Sequence, residues 1–177
     1  MNNLFSEIPL LKGERLVLQQ MTIADADALS ELVNNPSVYQ YLPTFLFEQS
    51  TSDLHKVIRL MYDKNVCSSI ILGIYMDRSF CGLVELYGFC ENTHKISIGY
   101  RLLQRFWGLG IATETVSILI DYLHSQTDID IITATTMTEN TASAHVLQKN
   151  GFSLVAHDVP EDWGYNEPAI VDKWIRT

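Results

Sequence analysis

Arg105, Gly108 and Gly110 stand in the run Arg105-Phe106-Trp107-Gly108-Leu109-Gly110-Ile111-Ala112. That combination can hold a phosphate. A guanidinium offers a planar fork of donors that fits phosphate oxygens. Glycine lets the backbone take unusual dihedrals and come close to an anion. After Gly110 the apolar residues Ala112, Val116, Leu119, Ile120 and Leu123 recur at helical spacing. The first amides of a helix have no intrahelical partner and carry the positive end of its dipole. Two commoner phosphate motifs do not fit. A P-loop needs a lysine that is missing here, and a dinucleotide fingerprint needs Gly or Ala where this chain has Thr113.

Groups that could move a proton are fewer. Glu85 interrupts an apolar run, Leu83, Val84, Leu86 and Tyr87. Buried there, a carboxylate loses hydration and its pKa rises toward neutrality, which suits a general base. Facing solvent, it is an outer-face charge. Asn140 fits a helix N-cap, and Ser143 falls in the turn after it. No Ser/His/Asp or Cys/His pattern has a known nucleophile spacing. The histidines, His55, His94, His124, His145 and His157, lack metal-ligand spacing, and Cys67, Cys81 and Cys90 form no Cys-x-x-Cys pair. No metal site or disulfide framework is expected; Cys67 and Cys81 read as buried thiols.

The elements that must position these groups follow from periodicity. Leu16, Leu18 and Gln20 alternate as a first strand. Thr22-x-x-Asp25 resembles a capping box before a helix carrying Ala26, Leu29, Leu32 and Val33, which Asn34-Asn35-Pro36 stops. Tyr39 to Phe47 is an aromatic connector without a period. It either packs two helices on a sheet or walls a pocket. Ser50-x-x-Asp53 caps a second helix with Leu54, Val57, Ile58 and Met61 on one face. Ser68 to Met76 and Phe80 to Tyr87 read as strands about an Asp77-Arg78 hairpin that lacks the preferred turn residues. Lys95 to Leu102 alternates cleanly and leads into the glycine turn. The helix from Gly110 to about Ser125, the strand Ile129 to Thr136, and a helix from Asn140 or Thr141 to Lys149-Asn150-Gly151 come next. Ser153 to Val159 and Ala169 to Ile175 are the last strands, joined by the loop Pro160 to Pro168.

With 177 residues, the chain fits a single domain, residues 1–177. No apolar run reaches the roughly 20 residues of a membrane span, and Met1 to Glu7 carries no secretory pattern. The default expectation is a cytoplasmic protein without a membrane contact. A net charge of −9 argues against a nucleic-acid surface and is compatible with a cationic substrate, though acidity also serves solubility.

Several motifs agree in order and spacing. They are Ile98-Gly99-Tyr100-Arg101-Leu102, Arg105-x-x-Gly108-x-Gly110, Trp107-Gly108-Leu109-Gly110-Ile111-Ala112-Thr113-Glu114, and Asn140-Thr141-Ala142-Ser143 followed by Val146-Leu147-Gln148-Lys149-Asn150-Gly151-Phe152. Together they resemble the GNAT N-acetyltransferases, in the branch of RimJ/RimL-type ribosomal-protein N-terminal acetyltransferases. The resemblance covers nearly the whole chain and is not specific for substrate. It implies an α/β (α+β) GNAT fold with a mixed, mostly antiparallel twisted sheet. That sheet would have about seven strands and about four flanking helices, splayed at the acyl-CoA site. The element order β-α-α-β-β-β-α-β-α-β-β agrees.

The resemblance further implies transfer of an acetyl group from acetyl-CoA to an amine, by direct attack in a ternary complex. Backbone groups of Tyr100, Leu102 and Leu103 would hold pantetheine. An N–H between Ser97 and Tyr100 would polarise the thioester carbonyl, an effect on the order of 3 kcal/mol in other enzymes. Arg105 and the amides of Gly108, Leu109, Gly110, Ile111 and Ala112 would hold pyrophosphate. Asn140 would contact the cofactor, and Ser143 would contact it or protonate the departing thiolate. Three candidates stand for the base: Glu161, which matches a glutamate of Rim-type enzymes by position; Glu85, on local physics; and a water chain ending at backbone.

The acceptor would be a protein N-terminal amine or a small amine. An open acidic groove would favour peptides and a closed aromatic pocket a small molecule. Homodimers are frequent in the superfamily, but nothing here locates an interface. A non-catalytic acyl-CoA-binding module and a dinucleotide-dependent oxidoreductase are the competing classes.

Overall fold

The computed structural model describes residues 7–63 and 65–177. The reading of Met1 to Ser6 lies outside them. Eight strands make one sheet: β1 (Leu11–Lys12), β2 (Leu16–Gln19), β3 (Ile70–Met76), β4 (Ser79–Cys90), β5 (Lys95–Leu102), β6 (Ile131–Met137), β7 (Ser153–Glu161) and β8 (Ala169–Arg176). Their spatial order is β1-β2-β3-β4-β5-β6-β8-β7. All neighbours are antiparallel except β5 and β6. Among the described residues five helices accompany them: α1 (Ala26–Val33), α2 (Pro36–Tyr39), α3 (Leu54–Met61), α4 (Ile111–Gln126) and α5 (Thr141–Lys149).

The sheet is covered on both faces, and the period of two in its strands sorts side chains between them. In β3, Ile70, Leu72 and Ile74 join a core built with Val116, Leu119, Ile120 and Leu123 of α4 and Leu147 of α5. Ile71 and Tyr75 turn the other way, to Leu29 and Leu32 of α1 and Val57, Ile58 and Met61 of α3. Two covered faces explain why β3 reads as an unbroken apolar run.

The differences from the expected elements have local causes. β1 has two residues, too few for alternation to show. Pro36 both ends one helix and starts another: it occupies the first turn of α2, and the Asn35 side chain accepts from the Ser37 amide at 3.0 Å. Asp53, not Ser50, caps α3, accepting from Lys56 N–H at 3.0 Å. The β3–β4 hairpin closes on Asp77 and Arg78 at φ 49° and 66°. Both central residues of the turn are therefore left-handed, as a two-residue hairpin requires, without glycine. β7 runs two residues further than expected and takes in Glu161. No helix among the described residues is long and apolar enough to cross a membrane.

Candidate active site

β5 and β6 pair at only three positions, Lys95 with Ile131, Ile96 with Ile132, and Ser97 with Thr133. The strands continue to Leu102 and Met137 without further pairing to each other. Beyond Ser97 the sheet is split. The vertex is marked by the Ser97 and Thr133 hydroxyls, 2.8 Å apart. β5 stays paired to β4, and β6 to β8, so each strand turns one backbone edge into the gap. Unpaired strand edges are a row of donors and acceptors that an extended ligand can complete.

The gap opens into a cleft of about 1120 Å³. At one end lies the glycine turn. Gly108 and Gly110 have φ of 74° and 77°, the left-handed region, and Gly110 is the N-cap of α4. A short 3-10 turn over Gln104–Phe106 carries the chain from β5 to it. Glu114, in the first turn of α4, fixes this helix start to β2. Its carboxylate accepts from the Arg15 amide at 2.7 Å, from Arg15 Nε at 2.8 Å and from the Leu16 amide at 3.1 Å. Arg15 Nη1 in turn donates to the Leu109 carbonyl at 3.1 Å. Burial works against the Glu114 charge, but the hydrogen bonds from Arg15 and Leu16 outweigh it and hold the carboxyl below its ordinary value.

The other end of the cleft has aromatic and acidic walls. Tyr41, Phe45 and Phe47 come from the connector after α2, Glu85 and Tyr87 from β4, Glu161 from the end of β7, and Asp162 and Trp163 from the loop after it. The connector and the β7–β8 loop are tied together. The Thr44 amide and hydroxyl both donate to the Trp163 carbonyl, at 2.9 and 3.1 Å, and the Tyr165 hydroxyl donates to the Leu42 carbonyl at 2.5 Å.

A residue-level comparison matches residues 15–153 to the Acetyltransferase (GNAT) domain. The chain belongs to the GNAT acetyltransferase family. It is 28% identical over 149 residues to the uncharacterized N-acetyltransferase YoaA of Bacillus subtilis, covering 81% of this chain and 82% of that one. Among solved structures it resembles RimL, a ribosomal-protein alpha-N-acetyltransferase, in complex with coenzyme A (TM-score 0.77, 19% identity, 96% of each chain). It also resembles the microcin self-immunity acetyltransferase MccE in complex with acetyl-CoA and AMP (TM-score 0.76, 22% identity, 93% of each chain).

Within this GNAT cleft the structure gathers most of the residues singled out above. Tyr100, Leu102, Gly108, Gly110, Ile111, Ala112, Asn140, Ser143, Glu85 and Glu161 all line it. Of the described residues, Leu103, Arg105 and Leu109 stand outside the cleft wall. Leu103 is fully buried, and its amide donates to the Cys81 carbonyl at 2.9 Å. Arg105 ion-pairs with Glu31 of α1, and its guanidinium lies 5.0 Å from the Phe106 ring centroid. Leu109 is half exposed at the tip of the turn.

Asn140 caps α5, accepting from the Ser143 amide at 3.1 Å. Gly151 ends that helix at φ 76°, with Gly151 N–H on Gln148 O and Phe152 N–H on Leu147 O, the paired bonds of a Schellman motif. α5 packs on the same face as α4, so Ser143 approaches the gap from that side. Tyr100 lines the same side. Burial pushes its phenol up to about 12, with the Ser143 hydroxyl acting in the opposite sense, so the phenol stays protonated at neutral pH.

The carboxylates have partners that the sequence did not reveal. Lys173 Nζ donates to Glu161 Oε2 at 2.5 Å. Arg101 Nη1 donates to Glu85 Oε2 at 3.2 Å, so a guanidinium stands where the sequence suggested only apolar neighbours. Arg101 and Glu48 are buried, and Arg101 Nη2 donates to Glu48 Oε2 at 2.6 Å. Elsewhere, Asp172 Oδ1 gathers His157 Nδ1 at 2.7 Å, the Thr138 hydroxyl at 3.0 Å and the Asp158 amide at 3.3 Å. Cys81 is buried and Cys67 partly so, and burial pushes both thiols up.

Proposed function

We propose that the chain transfers the acetyl group of acetyl-CoA to a primary amine by direct attack in a ternary complex. The observation that carries this reading is the split between β5 and β6, whose open edges run toward a glycine turn at the start of a long helix. A pantetheine arm fits such a split as an added strand, through backbone groups of β5 near Tyr100 and Leu102. Amides at the start of α4, from Gly110 to Ala112, suit pyrophosphate. The coenzyme A and acetyl-CoA held by the structural neighbours support this reading.

Chemistry then divides across the sheet. Glu85 shares with Leu83 the face covered by α1 and α3, whereas Ser143 sits on α5 behind the other face. An amine entering from the acidic side gives its proton to Glu85, or to Glu161, as its nitrogen attacks the thioester carbon. The carbon–sulfur bond breaks, and Ser143 supplies a proton to the thiolate, directly or through water. A β5 amide near Ser97 to Tyr100 stabilises the carbonyl oxygen as it becomes negative.

Three carboxylates line the cleft, and a cationic amine would share Glu85 with Arg101 and Glu161 with Lys173 while meeting Asp162. The aromatic wall and the Thr44–Trp163 tie favour a small amine over a folded peptide surface. An extended N-terminal segment is the second reading, favoured by the acidity and by the RimL neighbour's substrate. Incubation with acetyl-CoA and a mixture of small amines and short peptides, read by mass spectrometry, decides. Acetylation of a small amine supports the first reading; acetylation confined to peptide N-termini supports the second. Tight cofactor binding with no acetylated product would instead support a binding module.

A further inference from the structure

Glu85 does not stand alone in the cleft. Behind it lies an ion network that crosses four elements. Glu48, in a 3-10 turn over Phe47–Gln49 at the end of the aromatic connector, is fully buried. Arg101 of β5 meets it with two of its three guanidinium nitrogens, Nη2 donating to Oε2 at 2.6 Å and Nε lying 2.5 Å from Oε1 in ion contact. The Tyr39 hydroxyl of α2 donates to the same Oε1 at 2.8 Å. The remaining arm, Nη1, reaches Glu85 Oε2 at 3.2 Å. Burial alone would weaken the Arg101 charge, but Glu48 and then Glu85 outweigh it and hold its proton more tightly than usual.

A buried two-ion pair is costly to desolvate and is weak evidence of a purely stabilising role. Here Glu48 sits on the side of the guanidinium away from Glu85 and opposes part of its charge. From this geometry we propose that Glu48 and Arg101 are positioning residues. They clamp one oxygen of Glu85 and leave the other to take the amine's proton. The inference rests on Glu85 as the base.

Other groups act on Glu85 as well. Tyr87 of β4 feels both Glu85 and, from β7, Glu161, and burial with these charges pushes its phenol up to about 12. The Cys67 thiol, before β3, also feels Glu85. Neither Tyr87 nor Cys67 is ionised at neutral pH, Glu161 is paired with Lys173, and Arg101 is the charged group in direct contact with Glu85.

Removing charge from the two buried partners moves Glu85 in opposite directions. Glu48→Gln leaves Arg101 uncompensated beside Glu85, which favours the Glu85 carboxylate. Glu48→Gln with Arg101→Met removes both charges and the clamp, and the Glu85 titration midpoint rises. The double variant leaves no unpaired ion at the fully buried Glu48 and Arg101 positions, so it decides the matter where the single variant fails to fold.

The test is a carboxyl-carbon NMR titration of protein labelled at glutamate, with the Glu85 signal identified by its loss in Glu85→Gln. Opposite shifts in the two variants are expected. A Glu85 midpoint that stays put in the folded variants overturns the inference. The acid limb of kcat/KM should follow the NMR midpoint. Midpoints that move while the acid limb does not would leave the ion network standing as a set of charges but remove Glu85 as base, and with it the positioning role.

Discussion

Thr44 and Trp163 are 119 residues apart, yet the Thr44 amide donates to the Trp163 carbonyl at 2.9 Å. This contact joins the aromatic connector to the β7–β8 loop and ties the aromatic end of the cleft together. Gly164 makes the approach feasible. Its φ is 80°, and a Cβ there would lie 2.1 Å from Thr44 Oγ1.

Gly164→Ala should therefore part the two loops. The expected result is a several-fold rise in the acceptor KM with the affinity for acetyl-CoA unchanged, read by steady-state kinetics and calorimetry. A variant that loses acetyl-CoA binding instead would show that the tie serves the cofactor end.

Arg105 is held by Glu31, and both side chains are about half exposed. To meet a pyrophosphate, Arg105 must leave that partner, and an exposed pair holds it by about 1 kcal/mol or less. Glu31→Gln should tighten acetyl-CoA binding by up to about fivefold. The gain should vanish when Arg105→Ala is added. A gain that survives the second substitution would place the effect elsewhere than on Arg105.

Sequence and structure agree best where a motif is also a piece of local geometry. The glycine turn, the Asn140 cap and the Gly151 helix end each depend on residues a few positions apart, so their spacing already encodes the shape. The Glu48–Arg101–Glu85 network depends on three separate elements meeting. Glu48 lies in a connector without a period, and Arg101 sits inside a motif whose glycine and tyrosine draw attention first. Arg105 illustrates the converse: its motif position is clear, but its partner comes from α1, 74 residues away. Only the fold could show that.

Glu114 links Arg15 and Leu16 to the start of α4, and its carboxyl lies below the ordinary value of 4.5 because those hydrogen bonds outweigh burial. Asp172 is likewise held below 3.8: burial opposes the charge, and the bonds from His157, Asp158 and Thr138 outweigh it. A depressed folded value stabilises the fold above the unfolded pKa, and that contribution is lost as pH falls through the folded one. Thermal unfolding should show stability dropping below about pH 4.5, with a shallower drop in Glu114→Gln. An unchanged acid slope in that variant would contradict the assignment.

In the proposed reaction Ser143, which lines the cleft, protonates the departing thiolate. Ser143→Ala should lower kcat by about a hundredfold while acetyl-CoA affinity changes little. A loss confined to affinity would make Ser143 a cofactor contact alone.

The most direct test of the central claim is free-thiol release from acetyl-CoA, with and without a panel of primary amines, in the native protein and in Gly110→Ala. Gly110 caps α4 at φ 77°, where a side chain is strained, so its substitution disturbs the proposed phosphate turn. The account predicts amine-dependent thiol release in the native protein, sharply reduced in Gly110→Ala. Equal release by the two proteins, or no interaction of the native protein with acetyl-CoA, would contradict it.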